Sequence, residues 1–362
     1  MLPAFIKKFA GEIPFDHWKV IHAITNCRTA LLGGHVEQCT NCAHQLISCY
    51  SCRNRHCPKC QSLAKAKWLK ARSAELLPVT YFHVVFTLPH ELGPLGLQNK
   101  KVFYNNLFRS AAQTMQTIAA DPKHLGAQIG ALAVLHTWGQ NLMFHPHLHF
   151  IVPGGGISSS EANPKWTSCR PNFFLPVRVL SQLFRRLFLE GLDKAYRKGL
   201  LTFHGELKRL DDPQAFHDIL QTTRLKPWVV YAKKPFGGPE KVLDYLARYT
   251  HRVAISNHRL TKFQNGRITF TLKNYRQGGQ KQVLTLDGTE FMRRFLLHAL
   301  PSGFMRIRPF GLLANCHRAK KLQLCRDLLG VQPVDKKSNS SSAEALTSVL
   351  ELIGLHKHCT LF

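Results

Sequence analysis

The sequence predicts an α+β protein preceded by a small zinc-binding module. Two observations carry this. Of the 11 cysteines, seven fall between Cys27 and Cys60. Beyond them, β-branched and aromatic stretches bounded by turn residues alternate with amphipathic stretches of helical period. With 362 residues, 44% of them hydrophobic, the chain can bury a core.

The elements follow in order. Residues 1–30 place Phe15, Trp18, Ile21 and Ile24 at helical spacing. Residues 31–62 hold the cysteine and histidine cluster. Ala64–Leu77 reads as a basic amphipathic helix stopped by Pro78. Val79–Thr87 is a strand by propensity, and Val102–Ala119 a helix. Ala131–Trp138 and His147–Val152 read as strands, and Gly139 and Asn141 between them suggest a hairpin. Leu180–Tyr196 is a helix with a basic face, Trp228–Ala232 a short strand. Pro239–His251 is a helix that starts on proline, where proline is tolerated. Asn265-Gly266 is a strong hairpin turn, followed by the alternating strand Arg267–Lys273. Helices follow over Gly288–Ala299 and Asn315–Leu329. Residues 333–343 are a polar low-complexity linker, and Glu344–Leu355 a short apolar helix. The expected division is 1–77 for the N-terminal helix and zinc module, 78–330 for the main region, and 331–362 for linker and tail.

Net charge is +28, from 49 Lys+Arg against 21 Asp+Glu. Such an excess repels itself unless a polyanion neutralises it. The basic residues run the whole length, which favours nucleic acid over a membrane surface. No apolar run approaches the ~20 residues that span a bilayer. The N-terminus lacks a long apolar stretch with a cleavage site, so a cytoplasmic, nucleoid-associated location is expected. There, cysteines bind metal rather than forming disulfides.

The cysteines are spaced Cys39-x2-Cys42, Cys49-x2-Cys52 and Cys57-x2-Cys60, with His35 and His56 nearby. Each CxxC knuckle points two thiolates at one ion, and zinc takes four ligands in a tetrahedron. The eight residues suffice for one zinc site or two. A structural zinc would hold a segment too small for a core of its own. Arg53, Arg55 and Lys59 sit among the ligands and are expected to touch phosphate.

In His145-Pro-His-Leu-His149-Phe-Ile-Val, side chains alternate, so His147 and His149 share a face. His145 has the same parity but sits at the strand start. Two imidazoles suit a divalent transition metal or, with water and phosphate oxygens, Mg²⁺. A hairpin would bring His136 toward His149 as a third ligand, with Gln140 the alternative.

Tyr245 and Tyr249 are one helical turn apart, as are Arg248 and Arg252 beside them. A phenol ionises near pH ~10 and needs help to act as a nucleophile. Guanidinium groups or a metal supply it by favouring the phenolate and by stabilising charge on a phosphate. Alone, this spacing suits two core aromatics better than it suits a pair of nucleophiles.

Together, HTWGQNLMFHPHLHFIVPGGG, YLARYTHRVAISNHRL, SCRNRHCPKCQ and YFHVVFTLP resemble the rolling-circle insertion-sequence transposases. These are two-tyrosine members of the HUH endonuclease superfamily with an N-terminal zinc-binding domain. The resemblance covers about residues 30–330. It implies an HUH-endonuclease-like antiparallel sheet with packed helices, and nicking and rejoining of single-stranded DNA through a 5′-phosphotyrosine. By motif match, His147 and His149 hold a catalytic Mg²⁺ or Mn²⁺, and Tyr245 and Tyr249 are the nucleophiles. Cys39, Cys42, Cys52, Cys57 and Cys60 match the zinc cysteines, while Cys49 and His145 are additions to the pattern. The expected partners are single-stranded or hairpin element ends and target DNA. A homo-oligomer is compatible with the sequence. No nucleotide cofactor is expected, since no GxxxxGK[ST] loop is present. Other functions compatible with these motifs are a plasmid replication initiator or relaxase, a non-enzymatic zinc-ribbon DNA-binding regulator and an RNA-binding protein.

Overall fold

The computed structural model describes residues 1–331 other than 41, 159–162, 234–237, 252–253 and 275–277. The expected linker over 333–343 and helix over 344–355 lie outside the described residues. The chain forms two compact units, neither contiguous in sequence. One comprises Met1–Lys65, Thr137–Phe144 and Arg248–Gly303. The other comprises Ala66–His136, His145–Ala247 and the chain from Phe304. This partition cuts across the expected boundary at 77/78.

The larger unit is built on a seven-stranded sheet. Its order is Trp166–Ser168, Gly155–Ser158, Ala127–Trp138, Phe144–Pro153, Tyr81–Thr87, Val230–Lys233. Ile307–Gly311 also pairs with Ala127–Trp138, antiparallel. Both faces of the two central strands are buried. On one face, Phe86 meets Phe150, and also Phe184 of helix Val177–Arg197, edge to face. That helix lies against helix Lys100–Ala120, which buries Phe103, Leu107 and Ala111 at four-residue spacing. The two meet closely at Gly191, where any side chain would strike the Asn106 carboxamide. The Asn106 Nδ2 donates to the Phe188 carbonyl, 2.8 Å away.

The other face carries Tyr81, Val134 and Ile151. Val242 and Leu243 of helix Gly238–His251 pack on it, as do Trp68 and Leu69 of helix Ser62–Ser73. Sheet parity puts His136, His147 and His149 on this same face. The register pairs Val85 with His149 and His83 with Ile151, so His83 shares it too.

In the smaller unit, helices Leu2–Phe9, Phe15–Thr25 and Gly288–Leu297 enclose a core with the sheet Leu260–Gln264, Arg267–Asn274 and Gln280–Asp287. Phe5, Ile21, Phe270, Phe291 and Leu296 are its centre. Asn265 and Gly266 both have positive φ (49° and 71°), as the predicted tight turn demands. The hairpin turn after the Ala127–Trp138 strand adds Trp138 and Leu142. Buried His298 donates from Nε2 to the Leu142 carbonyl (3.1 Å), and its Nδ1 accepts from Thr137 Oγ1 (3.2 Å). Arg259 and Arg294 cap the neighbouring carbonyls of Gln140 and Asn141.

Candidate active site

Three imidazoles meet on the sheet. His136, on strand Ala127–Trp138, and His147 and His149, on strand Phe144–Pro153, bring ring nitrogens within 4.8 Å of one another. The His136 and His149 rings are 4.1 Å apart, centre to centre. The hairpin thus delivers the third imidazole, whereas the alternative, Gln140, sits in the turn.

Hydrogen bonds assign the ring nitrogens. His147 Nδ1 lies 2.7 Å from the His145 carbonyl oxygen, which only accepts. Nδ1 is therefore protonated, and Nε2 carries the lone pair. His149 Nδ1 is 2.7 Å from His83 Nε2, with the two rings nearly parallel at 10°. The nitrogen His149 can offer an ion is again Nε2. Burial pushes His147 down to about 4 from its ordinary 6.5, with the neighbouring His145 adding to the fall. Burial takes His83 to about 4 as well, and carries His149 well below its ordinary value. At neutral pH His83, His147 and His149 are therefore neutral, and a neutral imidazole is the form that binds metal. Sequence reading missed His83. Its signal was parity, since it sits on strand Tyr81–Thr87 with its side chain alternating away from the phenylalanines.

The tyrosine helix, Gly238–His251, lies on this sheet face through Val242 and Leu243. Positions 242, 245 and 249 are three and four residues apart and fall on one side of the helix. For Tyr245, Arg248 and Tyr249 the description extends to the helical backbone, and Arg252 lies outside the described residues.

Four thiols form a second cluster. Cys27, Cys52, Cys57 and Cys60 bring their sulfurs within 4.8 Å of one another. Cys27 Sγ is 3.4 Å from Cys60 and 3.5 Å from Cys57, and Cys52 Sγ is 3.7 Å from Cys60. A zinc tetrahedron with bonds of about 2.3 Å has edges of about 3.8 Å, so the thiols fit that ion. Burial, helped by bonds with the Cys27 and Cys60 thiols, holds Cys52 and Cys57 above the ordinary thiol value. Burial opposes ionisation of Cys60 too, but bonds from Cys27, Ser51 and the Arg53 backbone outweigh it and bring it to about 7.

This grouping differs from the spacing-based expectation. Cys27, which has no CxxC partner, completes it. Cys39 and Cys42 lie at the turn of the exposed hairpin formed by Gly34–Gln38 and Gln45–Cys49. Neither they nor Cys49, His35 and His56 join the four. His35 bonds Glu37 (3.2 Å), and His56 is buried edge-on against Phe295. Among the described residues no second group of three metal-ligating thiols or imidazoles occurs in this segment.

Comparison with known proteins completes the picture. Residues 130–321 match the family described as "Putative transposase", and residues 1–88 match the "Transposase zinc-binding domain". A protein of Sinorhizobium fredii named "Putative transposase y4qJ" is 55% identical over 336 residues, covering 93% of this chain and 84% of its own. The chain belongs to this transposase family. The "Transposase for insertion sequence element IS801" of Pseudomonas savastanoi pv. phaseolicola is 29% identical over 296 residues, 80% of this chain and 68% of its own. No solved structure matches.

The transposase is thus an enzyme that cuts and joins DNA. Its zinc-binding domain contains the four-cysteine cluster, whose geometry fits a structural zinc. The residues expected to touch phosphate divide. Arg53 and Lys59 are exposed, whereas the Arg55 guanidinium lies 5.9 Å from the Trp138 ring centre. No helix among the described residues is long and apolar enough to cross a membrane.

Proposed function

We propose that this transposase nicks and rejoins single-stranded DNA by tyrosine transesterification. The observation that carries it is the packing of the Tyr245/Tyr249 helix on the sheet face that presents His136, His147 and His149. His147 and His149 are the principal metal ligands and His136 the third. A divalent cation held by these nitrogens, Mg²⁺ or Mn²⁺, would polarise the scissile phosphate and offset charge developing on it.

The tyrosine oxygen forms a bond to phosphorus as the bond from phosphorus to the 3′ oxygen breaks. The phenol's proton ends, directly or through water, on the departing 3′-hydroxyl. The product is a 5′-phosphotyrosine. One phosphate ester replaces another, so the energy for rejoining is retained and no nucleotide triphosphate is consumed. Arg248 and Arg252 favour the phenolate and the charged phosphate. The second tyrosine accepts a second strand, which couples donor to target. Tyr249, flanked by Arg248 and Arg252, makes the first attack. The substrates are single-stranded or hairpin element ends.

The test is incubation with a labelled single-stranded element end and Mn²⁺. A covalent protein–DNA adduct is expected, lost in the double variant Tyr245→Phe/Tyr249→Phe. Mass spectrometry of the adduct assigns the nucleophile. Cleavage that persists in the double variant would exclude both tyrosines.

A further inference from the structure

The sheet of the smaller unit has two unlike faces. Along Arg267–Asn274 and Gln280–Asp287 the register pairs Ile268 with Leu286 and Phe270 with Leu284, and these four enter the core. The intervening pairs, of opposite parity, are Thr269 with Thr285, Thr271 with Val283 and Lys273 with Lys281. Arg267 opens this row, and Lys262 joins it opposite Thr269. Lys262, Arg267, Lys273 and Lys281 are all exposed.

Charge on this face is one-sided. Four cations, Lys262, Arg267, Lys273 and Lys281, stand on it against one acid, Asp287, which the register sets opposite Arg267. The Asp287 carboxylate accepts from the backbone N–H (2.8 Å) and hydroxyl (2.6 Å) of Thr289, capping the next helix. Lys273 and Lys281 face each other directly, an arrangement that costs stability within a sheet. A polyanion laid across the face removes that cost.

We infer that the outer face of this three-stranded sheet binds the phosphate backbone of duplex DNA without regard to sequence. Two features select duplex over single strand. From Arg267 to Lys273 the strand extends about 20 Å, matching several phosphates along a regular duplex edge. The described residues of the face include no aromatic, so it lacks the stacking platforms that hold unpaired bases. The inference rests on the chain's being a DNA-acting transposase.

The experiment measures binding of a duplex of unrelated sequence, and of a single strand of equal length, against salt. The variant Lys262→Gln/Lys273→Gln/Lys281→Gln is compared with Lys123→Gln/Lys198→Gln/Lys208→Gln, which removes equal charge elsewhere. The duplex salt slope should flatten by about two to three in the first variant, at about 0.9 per phosphate lost, and much less in the second. Thermal melting verifies that both variants fold. Equal flattening in the two variants, or an effect confined to the single strand, would overturn the inference. The tyrosine reading is judged separately, by the covalent adduct on a single-stranded end. Loss of that reading leaves the duplex result standing, and adduct formation with an unaltered duplex slope removes this face alone.

Discussion

At the residue scale, the proposed metal site at His136, His147 and His149 is oriented by a side chain outside that trio. His83 holds His149 by its Nδ1 and so sets which nitrogen faces His136 and His147. Partners of this kind typically tune metal affinity 10- to 100-fold. His83→Ala should therefore weaken Mn²⁺ binding by about that factor in calorimetry, with His83→Gln recovering part of it. Unchanged Mn²⁺ affinity in His83→Ala would leave His83 a packing residue. The same burial sets a pH response. His83 and His147 sit near 4 in the fold against an ordinary 6.5. Their depressed values mean the unfolded chain binds protons first as pH falls. Stability from this source is full above about 6.5 and is lost as pH drops through about 4. Metal-free protein should show a falling melting temperature across that window. His83→Gln should flatten the fall, because it removes one titrating ring. His147 and His149 were legible because parity along one strand needs no knowledge of neighbours. His83 was not, because its role depends on a diagonal contact across 66 residues of sequence.

At the element scale, regular segments were legible where local chemistry decides them. The Asn-Gly turn and the hairpin around Gly139 both form. The Asp212 cap and Pro213 start of helix Pro213–Arg224 were equally local, yet that helix went unread. Strand Ile307–Gly311 was hidden by Pro309, which normally argues against a strand. It is accommodated because the strand pairs with Ala127–Trp138 alone. Strand Gln280–Asp287 was masked by its polar outer row. The zinc module shows the limit of spacing arguments. Three knuckles predict thiols working in pairs, but only Cys57 and Cys60 do so, and the chain folds back to supply Cys27 from the end of helix Phe15–Thr25. Cys27→Ser should lower bound zinc as severely as Cys57→Ser, whereas Cys39→Ser/Cys42→Ser should retain it, by metal analysis of purified protein. Zinc lost from the Cys39/Cys42 variant and kept in Cys27→Ser would restore the knuckle arrangement. Among the described side chains of the tyrosine helix, Val242, Leu243 and Ala247 are buried. Leu243→Ala should cost about 2–5 kcal/mol in denaturant unfolding. It should also slow adduct formation, since in-line attack tolerates little misplacement.

At the scale of the whole molecule, the +28 charge governs encounter with DNA. If six phosphates are neutralised, the logarithm of affinity should fall with the logarithm of salt at a slope of about −5. Anisotropy titrations between low and moderate salt measure it, and a flat response would deny an electrostatic footprint. The discontinuous core of the smaller unit also dictates an order of events during synthesis. Phe5, Val20 and Ile21 must wait for Ile268, Phe270 and Phe291, more than 240 residues later in the sequence. The ribosome delivers those partners tens of seconds afterwards, at roughly 5–20 residues per second. The four cysteines, by contrast, have all emerged once residue 60 leaves the exit tunnel. Metal capture is then the first tertiary event open to the nascent chain, and it anchors the helix bearing Val20 and Ile21 while the rest of its core is still being made. Zinc supply during translation, rather than after it, should set the yield of folded enzyme.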